Sequence, residues 1–134
     1  MTTKLHKLLG TAMLGLSLLS QSLPAWAGTI ANSQVSIGYN GSTPVSAEGT
    51  LTGARYSADN QQYIGCESVR DTFMGIYCSA GNLLGQYVYC SSNNPRFMDA
   101  VKGMTDSSFV SFTSDPVTRS CTYLEVGNAS YNLR

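Results

Sequence analysis

The chain has 134 residues, eight basic and eight acidic side chains and one His, so its formal charge is zero. That length is one domain's worth. No basic patch is large enough to neutralise a run of phosphates, which argues against a nucleic-acid partner.

The first segment reads as an export signal. Met1 to Lys7 carries Lys4, His6 and Lys7, and Leu8 to Leu19 is an apolar run broken only by Thr11 and Ser17. That run is too short to span a bilayer as a helix. Gln21, Ser22 and Pro24 then lead to the small-x-small site Ala25-Trp26-Ala27. This order of parts predicts a secretory signal peptide over residues 1–27, cleaved after Ala27, and hence a secreted or periplasmic protein. No twin-Arg pair is present, which favours the general secretion route. No Cys lies near the cut to carry a lipid, and the style of the site points to a bacterial source.

Cleavage would leave 107 residues, Gly28 to Arg134, and remove Lys4 and Lys7. Six basic residues then face eight acidic ones, a net charge of −2. His6 and Trp26, the chain's only His and Trp, go as well. An exported chain without imidazole cannot run Ser–His–Asp or Cys–His catalysis, nor ligate zinc or copper through His. No Walker loop, dinucleotide fingerprint or calcium loop is present. The reading assigns no catalytic residue, no cofactor and no metal. No second long apolar run follows, so no membrane span is expected after cleavage.

Residues 28–47 read as a flexible N-terminal arm or an edge strand, and 48–134 as a single β-rich domain. In the arm, Val35 to Tyr39 alternates, Asn40-Gly41 signals a turn, and Pro44 argues against a central strand. Gly49 to Tyr56 is expected as a strand, followed by Gln62 to Arg70, Phe73 to Ser79 and Leu84 to Ser91. Ala80-Gly81-Asn82 is the expected turn between the last two. A helix should begin at Pro95, with an Asn93-Asn94 cap. Phe97, Met98, Val101 and Met104 form its apolar stripe, and Gly103 suits its end. Strands over Ser108–Thr113 and Ser120–Val126 complete a β-β-β-β-α-β-β order. Asn128-Ala129-Ser130 matches a glycosylation sequon. The fold class expected is mainly β with one helix, a small antiparallel sheet stapled by disulfides. The order is similar to that of an OB-fold barrel, a resemblance of topology alone that implies no function.

The four Cys are Cys66, Cys78, Cys90 and Cys121. An even count in a small exported chain predicts two disulfides. Ile64-Gly65-Cys66, Ile76-Tyr77-Cys78 and Val88-Tyr89-Cys90 recur every twelve residues, one strand plus one turn. Four Cys allow three connectivities. A turn at Asp71-Thr72 would set Cys66 opposite Cys78, so the favoured pairing is Cys66–Cys78 with Cys90–Cys121.

Strand alternation separates two faces. Ile64, Cys66, Met74, Ile76, Cys78, Val88 and Cys90 form an apolar parity assigned to the core. Tyr63, Glu67, Phe73, Tyr77, Tyr87 and Tyr89 form an aromatic parity. Tyr63, Tyr77, Tyr87 and Tyr89 are the candidate binding residues, because a Tyr ring gives flat contact area and a hydroxyl at low entropic cost. The competing expectation is that the helix or the arm covers this face. Three functions fit: a non-catalytic module binding a protein or glycan, a structural subunit that assembles through an edge strand, and a small glycan hydrolase using Glu67 or Glu125.

Overall fold

A computed structural model describes residues 33–70 and 74–129. Alternating apolar residues and turn formers divide this part into seven strands and two helices. In chain order they are β1 (Ser36–Asn40), β2 (Thr43–Thr50), α1 (Leu51–Arg55), β3 (Tyr63–Arg70), β4 (Met74–Gly81), β5 (Tyr87–Ser92), α2 (Pro95–Lys102), β6 (Phe109–Ser114) and β7 (Cys121–Gly127). All strand pairs are antiparallel, in a four-stranded sheet β1-β2-β6-β7 and a three-stranded sheet β3-β4-β5. The fold is mainly β, as expected, but the strands form two sheets and no closed barrel.

The core lies where the two sheets face each other. Ile64, Ile76, Cys78, Ala80, Val88 and Cys90 from the smaller sheet are buried in one cluster with Ala47, Val110 and Phe112 from the larger. Helix α2 adds buried Val101, with Phe97, Met98 and Met104 packed partly against the cluster. Its start matches the sequence. The Asn94 side chain accepts from the Arg96 N–H at 3.0 Å, and Pro95 is the first helical residue. Only residues whose N–H would be unsatisfied anyway stand there, so proline is tolerated.

The disulfides are Cys66–Cys78 and Cys90–Cys121, the favoured pairing. Cys66 and Cys78 are directly opposed across β3 and β4. Cys90–Cys121 joins β5 to β7 and so ties one sheet to the other.

The segment expected as an arm or edge strand supplies two strands. The Asn40-Gly41 turn joins them, with Gly41 at φ +61°, a conformation open to glycine without a side-chain clash. β1 is the sheet edge, and β2 lies between β1 and β6. Pro44 nevertheless fits in β2. It stands opposite Tyr39 at a register irregularity, and the ladder to β6 begins only at Ser46. Its missing N–H therefore breaks no rung with β6.

The strand expected over Gly49–Tyr56 ends instead at Thr50, where α1 begins. The Thr50 hydroxyl caps this helix, accepting from the Gly53 N–H at 3.0 Å. A Cβ at Gly53 would sit 2.6 Å from Thr50 Oγ1 and nearer still to the Ser33 carbonyl. Glycine is required there by close backbone approach. The turn expected at Ala80-Gly81-Asn82 also shifts. β4 runs on to Gly81, and Asn82 opens the turn by accepting from the N–H groups of Leu84 and Gln86 at 3.0 and 3.1 Å.

Buried Gln62 anchors the N-terminal strand region. Its Oε1 accepts from the Val35 N–H at 2.8 Å, and its Nε2 donates to Asp59 at 2.6 Å. That side-chain bond, together with backbone N–H groups of Gln61 and Gln62, lowers the Asp59 pKa from 3.8 to about 2. A lowered carboxyl pKa adds stability above its unfolded value, and that stability is lost as pH falls through the folded value. Asp59→Asn should therefore be less stable than the native chain at pH 7. The gap should close as pH falls from 3.8 to about 2. Urea midpoints measured across that range check this, and a gap independent of pH would refute it.

Candidate functional site

The tyrosine parity faces away from the core on the three-stranded sheet. The registers set its residues in rows across β3, β4 and β5. Tyr63, Gly81 and Tyr87 form one row, Gly65, Ser79 and Tyr89 the next, and Glu67, Tyr77 and Ser91 the third. Large rings thus alternate with Gly and Ser, which leaves room for the rings to lie along the sheet. The Tyr63 ring rests over Gly81, where an added Cβ would be 3.0 Å from Cζ and would overlap the ring edge.

The rings form a continuous band. Tyr87 and Tyr89 stack with centroids 6.4 Å apart and planes 7° from parallel, and Tyr89 stacks with Tyr77 at 5.8 Å and 28°. Tyr63 and Tyr87 keep 48 % and 61 % of their surface exposed. Tyr77 and Tyr89 are half-buried. Burial, then the neighbouring Tyr89, Tyr63, Glu67 and Tyr87, push the Tyr77 hydroxyl pKa above its usual value. The hydroxyl therefore stays protonated and able to donate at neutral pH. Helix α2 does not cover this face; its buried side belongs to the core cluster.

Tyr63, Gly65, Glu67, Tyr77 and Ser79 line a groove of about 300 Å³ on this face. Gly65 and Ser79 leave the space between the Tyr63 and Tyr77 rows. Among the described residues, the Glu67 carboxylate has no hydrogen-bond or ion-pair partner.

One member of the site was missed in the sequence. The Arg119 guanidinium lies over the Tyr89 ring, 5.4 Å from its centroid, within cation–π range. The β6–β7 turn puts it there. Asp115 Oδ1 accepts from the N–H groups of Val117 and Thr118 at 2.9 and 2.7 Å, which winds the turn. Arg119 follows at φ +59°, a left-handed conformation that disfavours side chains. Its carbonyl accepts from the Ser91 N–H at 3.0 Å, holding it beside β5. The positive φ carries no signal in the residue type, and Tyr89 is distant in sequence.

Met74, assigned to the core by parity, is 71 % exposed. It begins β4 at the end paired with Arg70 and lines an apolar groove with Val69, Met98 and Lys102 instead. Phe73 lies outside the described residues. Glu67 and Glu125 are on different sheets, β3 and β7, and Glu125 accepts from the Tyr123 hydroxyl at 2.6 Å. The Asn128 of the sequon is engaged in the fold, donating to the Gly103 carbonyl at 2.7 Å and meeting the Ser108 hydroxyl. The sulfurs of Cys78, Cys90 and Cys121 lie within 4.8 Å of one another, all committed to disulfides. No described helix is long and apolar enough to cross a membrane.

The chain matches no family model, no curated protein and no solved structure. The functional reading therefore rests on the geometry of the tyrosine face.

Proposed function

We propose that this is a non-catalytic, exported binding module that holds a protein or glycan partner on the tyrosine face. The observation that carries the reading is the band of Tyr87, Tyr89 and Tyr77, with Tyr63 beyond the groove, on a sheet face that neither described helix's buried side packs on. Aromatic rings on a rigid sheet lose little conformational freedom on binding. Both disulfides hold strands of that sheet.

The test is partner capture by the oxidised protein from extracellular or periplasmic fractions. Tyr77→Ala and Tyr87→Ala should each weaken capture roughly tenfold or more, the scale of an aromatic contact near the centre of an interface. Unchanged capture by both variants, with the fold intact, would end this reading. The export part of this reading is supported by the two disulfides, which persist where thiols oxidise, and by the signal expected over residues 1–27. Intact-mass measurement of the exported protein should find Gly28 as its first residue.

A further inference from the structure

We infer that the groove between Tyr63 and Tyr77 receives a cationic side chain, Lys or Arg, from a protein partner. This rests on the tyrosine face being a binding surface and names the chemistry it selects.

The charge inside the groove selects its occupant. Its two large rings belong to Tyr63 and Tyr77, and its one ionisable acid is Glu67, opposite Tyr77 in the register. A ring face attracts a cation through its quadrupole, and a nearby carboxylate adds Coulomb attraction. Glu67 is exposed and, among the described residues, is not satisfied by a cation of this chain. Most exposed acids are simply solvated, so Glu67 alone would mean little. Its place opposite Tyr77, in the groove that Tyr63 also lines, gives it a function.

The second observation is internal. On the same band the chain already sets a guanidinium on a tyrosine ring, Arg119 over Tyr89. The two settings share a row pattern of Tyr beside Ser or Gly. They differ in that Tyr89 has its cation in the fold, whereas the Tyr63–Tyr77 groove has a carboxylate and open space. A neutral glycan would use the rings and leave Glu67 without a charge partner. A cationic side chain uses both. The expected charge of the exported chain, −2, favours the same partner.

The probes are pentalysine and pentaarginine, with Nε-acetylated pentalysine and pentacitrulline as neutral counterparts, and a neutral hexasaccharide. They are titrated into the oxidised exported protein at low salt, reading the ring signals of Tyr63 and Tyr77 by NMR. The cationic peptides should shift both sets of signals, and the neutral counterparts should bind about tenfold more weakly or less. Glu67→Gln should weaken the cationic peptides about two- to fivefold while the amide spectrum of β3 to β5 stays unchanged. Equal binding of charged and neutral peptides would overturn the inference. So would an unaffected Glu67→Gln, which would mean that the cation docks elsewhere. If the hexasaccharide alone shifts these signals, the cation is wrong and the tyrosine face stands. If partner capture survives the Tyr77→Ala and Tyr87→Ala variants, the face itself fails.

Discussion

Replacing Cys90 and Cys121 together by Ala is expected to destabilise the oxidised protein by about 3–4 kcal/mol. The bridge closes a sequence separation of 31 residues, against 12 for Cys66–Cys78. Loop-closure entropy grows only slowly with length, so by that term alone the shorter bridge contributes about 3 kcal/mol. Position widens the difference. Cys66 and Cys78 are opposed within an antiparallel ladder that hydrogen bonds already hold in register from Tyr63–Gly81 to Arg70–Met74. Cys90 and Cys121 are buried and connect two sheets with no common ladder. One isolated bridge, Ser91 to Ser120, is the backbone pairing beside it. The double variant should also loosen the β6–β7 turn and so Arg119 over Tyr89. Urea midpoints of the two double-Ala variants check this. A larger loss for Cys66/Cys78 than for Cys90/Cys121 would refute the argument.

Phe112→Ala is the single substitution expected to do most damage, about 3–5 kcal/mol. Phe112 is fully buried and, among the described residues, is the largest side chain in that state. It stands on the internal strand β6, between Ala47 of β2 and Leu124 of β7. Small Ala47 on one side cannot fill the space that the ring vacates. The neighbouring ladders on both sides resist collapse, so the cavity term adds to the lost burial. For a domain of this size the total stability is about 5–15 kcal/mol, and the variant would retain a small margin or none. Phe112→Leu should lose much less, since most of the volume remains. Chemical denaturation with an unchanged slope checks both. Equal losses for Ala and Leu would show that ring shape, and not volume, governs the site.

Much of the tyrosine face was legible because strand alternation is a local property. Once Tyr63, Tyr77, Tyr87 and Tyr89 lie on strands, their parity puts them on one side of the sheet. What alternation cannot give is how far a face extends. Met74 shares the core parity but stands at the end of its strand, 71 % exposed. Nor does it give the rings' mutual stacking, which depends on Gly81, Gly65 and Ser79 leaving space on adjacent strands. Thr50 shows the same limit for local structure. Its β-branched side chain suits a strand, and it is the last rung to β6. Its hydroxyl nevertheless starts a helix, because the Ser33 carbonyl and the Gly53 N–H both meet it there.

By itself the sequence determined the mainly β class, helix α2 with its Asn94 cap, the disulfide pairing and the aromatic parity. Each depends on spacing within a few residues, or on a turn length that sets two strands in register. The tertiary structure decided the division into two sheets, the place of β2 inside one of them, helix α1, and Arg119 on Tyr89. These depend on groups far apart in the chain, such as Ser33 with Thr50 or Ser91 with Arg119. Their meeting is fixed by packing of the whole, and no local residue pattern encodes it.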